Sequence, residues 1–174
     1  MVSSYSKVSP NIIESIMMIE EGLMQHFQPW PYRYDLALRI GNSLRKIGGV
    51  KTIIKLHPDR IQESRNAYDN YYDEFIETPF EKIYDTADAY IFSTTRSTVF
   101  NFAVLIDKPI ILLETAINEL HKSVQESLRK RCIIIPAWVS DSGRILFDEN
   151  SLIEAIRKKP EEIDTEYVDR YLLS

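Results

Sequence analysis

Short apolar runs alternate with amphipathic stretches along most of this chain. The runs occupy residues 50–56, 89–92, 110–113 and 132–135, with a shorter one at 75–76. Consecutive apolar positions, in place of a strict alternation with polar ones, are typical of strands that are buried on both faces of a parallel sheet. The pattern therefore predicts a sheet built from these five segments.

The stretches between these runs have helical periodicity. In residues 32–47 one stripe holds Leu36, Ile40, Leu44 and Ile47, and Gly48-Gly49 supplies a helix stop. Further helices are predicted at 59–72, in the stretch that opens at residue 98, and at 117–130, 151–159 and 164–172, with a helical turn at 79–86. Ser9-Pro10 and the apolar spacing that follows predict a first helix ending near Gln28, and residues 1–5 look like the end of a strand.

Strands that alternate with helices predict an α/β fold in which a Rossmann-like parallel sheet is covered by helices on both faces. The chain has 174 residues, and its sequence contains no internal repeat or linker-like tract. We therefore expect one domain over residues 1–174.

Composition excludes several classes of function. A formal net charge of −5 disfavours a general nucleic-acid binder. No apolar run approaches the length of a membrane span and no secretion signal is visible, so a cytoplasmic protein is expected. Cys132 is the single cysteine, which favours a buried structural thiol. His26 and His121 lack metal-ligand spacing, and no dinucleotide or Walker motif occurs, so neither a metal nor a cofactor is predicted.

Candidate chemistry lies where two predicted strands end. A polar loop, Ser93-Thr94-Thr95-Arg96-Ser97-Thr98, follows the strand at 89–92 and runs into a helix. Hydroxyl groups and helix N–H groups at the carboxyl end of a parallel strand can bind phosphate. His57 closes the strand at 50–56 and could donate to the same anion, although a strand-end histidine and a capping serine also have purely structural interpretations. Arg96 fits a phosphate contact and a solvated loop position equally well.

These motifs resemble a known group of enzymes. Lys55-Leu56-His57-Pro58, then Ala87-Asp88 before an apolar strand, the Ser97-Thr98 pair, and Lys-Pro-Ile-Ile-Leu at 108–112 are similar to the C-terminal, donor-binding domain of GT-B fold glycosyltransferases. The nearest group comprises bacterial surface-polysaccharide enzymes: CDP-glycerol glycerophosphotransferases, capsule polysaccharide transferases and HP-motif sialyltransferases. The likeness covers residues 32–159, and its specific part is about thirty residues.

The resemblance implies that His57, Ser97 and Thr98 hold the phosphate of a nucleotide donor, with Pro58 shaping the turn. Arg96 is a further candidate for that phosphate. Asn101 stands where many relatives have a glutamate that meets the donor ribose, and an asparagine can still hydrogen-bond a diol. The catalytic residues stay unassigned, because the usual base of such enzymes belongs to an N-terminal domain that this sequence does not contain.

The first functional hypothesis is therefore the donor-binding C-terminal half of a glycosyl- or glycerophosphotransferase in cell-surface polysaccharide synthesis. Its partners would be a nucleotide-activated sugar or CDP-glycerol-like donor and a missing N-terminal acceptor domain, through which the protein would associate with the inner face of the membrane. The chain alone is expected to be inactive. Two alternatives stay open: half of a nucleotide-sugar 2-epimerase-like GT-B enzyme, and a non-catalytic α/β interaction module.

Overall fold

The structure is a computed structural model that describes residues 13–20, 30–118, 120–157 and 163–173. Its strands are β1 Ser15–Ile19, β2 Lys51–Lys55, β3 Glu74–Ile76, β4 Ala89–Phe92, β5 Ile110–Leu113, β6 Ile133–Ile135, β7 Ala137–Val139 and β8 Ile145–Phe147. Its helices are α1 Trp30–Arg45, α2 Ile61–Tyr68, α3 Thr98–Ala103, α4 Lys122–Arg131, α5 Glu149–Arg157 and α6 Glu166–Tyr171. Short 3-10 helices cover Pro58–Arg60, Phe80–Lys82 and Glu114–Ala116.

Six strands form one sheet in the order β3-β2-β1-β4-β5-β6, and every neighbouring pair is parallel. Met17 of β1 pairs with Ile53 on one side and with Tyr90 on the other. This strand order is that of the doubly wound Rossmann fold. The predicted Rossmann-like parallel sheet is confirmed, and all five predicted strands belong to it.

Each face of the sheet carries its own apolar core. One core joins the sheet to α1 and α5 through Leu36, Ile40 and Leu152. The other joins it to α3, α4 and α6 through Phe100, Leu128 and Tyr167. Since helices cover both faces, the central strands are buried on both sides, which is why their sequences are continuously apolar.

The predicted first helix is wrong where the structure describes it. Residues 15–19 form β1, which lies between β2 and β4 and whose last four residues are buried. An apolar run buried on both faces satisfies helical spacing by chance, so periodicity does not separate the two structures. The remainder of the predicted helix and the strand-like residues 1–5 lie outside the described residues.

Other element boundaries follow from local chemistry. Gly48 and Gly49 have φ values of 67° and 72°, a left-handed conformation that glycine adopts readily and that ends α1 as predicted. The antiparallel hairpin of β7 and β8 was not predicted.

Cys132 is buried next to β6, and burial raises the pKa of its thiol to about 12, in agreement with a structural role. A helix of the length and apolarity that a bilayer requires is absent from the described ranges.

Candidate functional site

The strand order creates a crevice between β1 and β4. The chain builds the sheet from β1 outward to β2 and β3, and then crosses to the other side of β1 to add β4. Loops leave these two strands in opposite directions at their carboxyl ends, and ligands of open α/β sheets bind in the opening between such loops. The two predicted motifs follow β2 and β4, the strands on either side of β1.

His57 caps the 3-10 helix Pro58–Arg60. Its ring Nδ1 accepts a hydrogen bond from the backbone N–H of Asp59 at 3.3 Å, and Pro58 occupies the first turn. In the tautomer in which Nδ1 accepts this bond, Nε2 carries the ring proton and is a hydrogen-bond donor. The side chain is 29% exposed, so Nε2 is the ring nitrogen that a ligand can use.

Ser97 caps α3. Its Oγ accepts a hydrogen bond from the backbone N–H of Phe100 at 3.1 Å, which confirms the capping role of this serine. A hydroxyl that accepts one hydrogen bond still has its own proton to donate. Capping and phosphate contact are therefore compatible at this position.

The other predicted site residues surround Ser97. Thr98 is the first residue of α3 and is exposed, and Asn101 lies one turn further along, also exposed. Arg96 is exposed, and its backbone N–H donates to Thr94 Oγ1 at 3.2 Å. These side chains share one end of α3 with the serine.

The histidine turn and the serine loop lie at the same edge of the sheet. Their strands are separated by β1, and adjacent strands are about 4.8 Å apart, so the two strand ends are about 10 Å apart. The simultaneous contact of His57 and Ser97 with one phosphate stays a prediction.

Glu20 is the main residue of this edge that sequence reasoning missed. It follows β1, and its Oε2 accepts a hydrogen bond from the backbone N–H of His57 at 2.8 Å. Its Oε1 accepts from Ser64 Oγ at 2.6 Å and from Tyr68 OH at 3.2 Å. Burial, followed by the charge of Glu20, raises the pKa of Tyr68, so this tyrosine stays a donor. The helix predicted from the sequence includes Glu20. This residue was therefore not recognised as one of the polar side chains that follow a strand at the carboxyl edge of the sheet.

A small cavity lies beside this network at the β1 and β4 ends. It has a volume of about 20 Å³, and the polar groups of Glu20, Arg60 and Ser93 line it together with the rings of Tyr34 and Tyr68. The Arg60 guanidinium carbon lies 5.9 Å from the centre of the Tyr34 ring. The residues that line the cavity therefore include one cation, one carboxylate and three side chains with hydroxyl groups.

Lys55 is also buried near this edge, and its Nζ donates to the carbonyl of Leu56 at 2.7 Å. Burial lowers the pKa of this ammonium group, and three nearby carboxylates, of which Glu20 acts most strongly, oppose the shift. Within the described ranges, no three histidine, cysteine or acidic side chains are grouped as metal ligands.

The fold and the position of the crevice define a Rossmann-like α/β domain. No protein-family model and no curated protein sequence matches the chain. Among solved structures the chain is similar to KpsC of Thermosulfurimonas dismutans, described as a beta Kdo 2,7 transferase, with a TM-score of 0.42 and 16% sequence identity. The match covers 87% of this chain and 57% of that one, so the chain spans little more than half of the length of that protein.

Proposed function

We propose that this chain is the donor-nucleotide-binding half of a glycosyl- or glycerophosphotransferase of cell-surface polysaccharide synthesis. One observation carries the proposal: the Lys-x-His-Pro turn and the Ser/Thr loop follow strands β2 and β4, which flank β1 at one edge of the sheet. These are the two motifs by which the sequence resembles donor-binding domains.

In the proposed role, hydrogen-bond donor groups at this edge of the sheet surround the phosphate of the bound nucleotide. The Nε2–H group of His57 and the hydroxyls of Ser97 and Thr98 donate to phosphate oxygens, and Asn101 contacts the ribose. Hydrogen bonds that are already in place when negative charge develops on the leaving phosphate lower the barrier to transfer. The base that activates the acceptor is assigned to another domain of the protein.

Calorimetry with cytidine and uridine diphosphates tests the binding role. His57→Ala and Ser97→Ala are each expected to weaken binding by about 1–3 kcal/mol, the cost of a lost hydrogen bond to a charged group. His121→Ala is the matched control, because His121 caps α4 and its Nδ1 accepts from the backbone N–H two residues later, as in His57. A histidine that serves only as a cap would give the same result at both positions.

The wild-type titration separates the proposal from its rivals. Absence of binding by any nucleoside diphosphate up to millimolar concentration would favour a non-catalytic interaction module. The 174-residue chain is expected to bind a donor without transferring its sugar or glycerophosphate, because positioning of both reactants and a base are needed for turnover. Transfer by this chain alone would show that the base lies within it.

A further inference from the structure

The Nε–H group of the Arg60 side chain is buried and lacks a hydrogen-bond acceptor. Its Nε is inaccessible to solvent and has no hydrogen-bond partner among the described residues. Within the same ranges, no carboxylate lies within 4.0 Å of its guanidinium, whereas Arg65, five residues later, pairs with Glu77. A buried N–H that stays unpaired is destabilising, so such a group is expected to find a partner in the functional state.

The guanidinium of Arg60 lies against one aromatic ring. It lies over Tyr34, whose ring is 5.4 Å from that of Tyr68. The hydroxyl of Tyr34 contacts Ser64 Oγ at 3.2 Å, which links this stack to Glu20. A guanidinium is planar by its own bonding, and one that lies over a ring is already partly oriented, so less side-chain entropy is lost when it binds an anion.

The cavity next to Arg60 has room for one small group. A volume of about 20 Å³ accommodates a water-sized group, and it is too small for a base or a sugar ring. Glu20 lines the same cavity, but its oxygens already accept from His57, Ser64 and Tyr68. The carboxylate is therefore hydrogen-bonded to other groups, and in the described part of the chain it makes no ion pair with the Arg60 guanidinium.

We propose that Arg60 is an anion-binding residue whose guanidinium donates to one oxygen of a phosphoryl or carboxylate group entering this cavity from the β1 and β4 crevice. This inference rests on the proposed function and extends it. The nucleotide-activated substrate would carry a second anionic group besides the phosphate held by His57 and Ser97. That group is either the second phosphate of a diphosphate or the carboxylate of an acidic transferred sugar.

The direct test is NMR of arginine Nε–H groups in the wild-type chain. The Arg60 signal is assigned by its loss in Arg60→Lys, and pyrophosphate and malonate are titrated separately. A saturable shift with pyrophosphate identifies a phosphoryl group, and one with malonate identifies a carboxylate. The Arg65 signal is the internal control and should stay in place. An Arg60 signal that neither anion moves would overturn the proposal.

A second test uses Arg60→Gln with Arg65→Gln as the control for the lost positive charge. Arg60→Gln is expected to weaken the binding of whichever anion moves the Arg60 signal about tenfold, and Arg65→Gln by less than about twofold. Equal weakening by both variants would show a general charge effect and overturn the proposal. If no nucleoside diphosphate binds the wild-type chain while the Arg60 signal still responds to an anion, the donor-binding role fails and the anion site stands.

Discussion

The carboxylate of Glu20 accepts a hydrogen bond of 2.8 Å from the backbone N–H of His57, which lies 37 residues further along the chain. This bond joins the carboxyl ends of β1 and β2. The other oxygen of Glu20 holds Ser64 and Tyr68 of α2, so one side chain connects the histidine turn to the helix that follows it. The position of His57 at the crevice therefore depends on a residue of the central strand.

Glu20→Ala should destabilise the domain, because the backbone N–H of His57 and the hydroxyls of Ser64 and Tyr68 lose the carboxylate that accepts their hydrogen bonds. We expect a decrease in the free energy of unfolding of about 1–3 kcal/mol, measured by urea denaturation. Glu63→Ala, which removes an exposed carboxylate of α2, is the control and should have little effect. Equal stability of the two variants would contradict the positioning role of Glu20.

Substitutions at Ser97 separate its capping role from ligand binding. Ser97→Ala should lower the free energy of unfolding by about 1 kcal/mol through loss of the helix cap. Ser97→Asp restores a capping oxygen, so stability should return, yet its negative charge repels a phosphate and lacks the hydroxyl donor. Calorimetry should therefore show weak nucleotide binding by a stable Ser97→Asp variant. Wild-type affinity in that variant would restrict Ser97 to a cap.

Arg131 stabilises the segment between α3 and β5. Its buried guanidinium donates to the carbonyls of Val104, Ile106 and Lys108 at distances of 2.8–3.4 Å. Arg131→Met leaves these carbonyls without their donors and should lower the free energy of unfolding by at least about 2 kcal/mol. Arg129→Met on the exposed side of α4 is the control, and a similar loss in both variants would contradict the role of Arg131.

Asp73 makes stability dependent on pH. Its Oδ2 accepts from the backbone N–H and from Oγ1 of Thr52, each at 2.8 Å, and the backbone bond is the largest factor that lowers the pKa of this carboxyl. The folded state therefore favours the ionised form. The stabilisation is complete above the ordinary aspartate pKa and is lost as pH falls through the lowered value of the folded state.

The expected result is a free energy of unfolding that decreases below about pH 4 in the wild type. Urea denaturation at a series of pH values measures it. The decrease should be smaller in Asp73→Asn. Asp69→Asn, which removes an exposed carboxylate four residues earlier, is the control and should resemble the wild type. An identical pH profile for wild type and Asp73→Asn would contradict this role for Asp73.

The sequence by itself determined the fold class and the two motifs of the candidate site. Strands such as Ala89–Phe92 and Ile110–Leu113 are apolar at every position and bounded by turn residues, so their burial and boundaries are local properties. His57 and Ser97 each follow such a strand. In a parallel sheet the carboxyl ends of all strands lie at the same edge. The two motifs therefore share that edge once a parallel sheet is predicted.

Only the tertiary structure decided which residues surround those motifs. The central position of Ser15–Ile19 depends on pairing with β2 and β4, and its apolar sequence is compatible with a helix until that pairing is known. Glu20 meets Ser64 and Tyr68 across 44 and 48 residues, and Arg60 meets Tyr34 across a whole strand and turn. Contacts of this kind arise from chain packing over long separations, and no local pattern of residues encodes them.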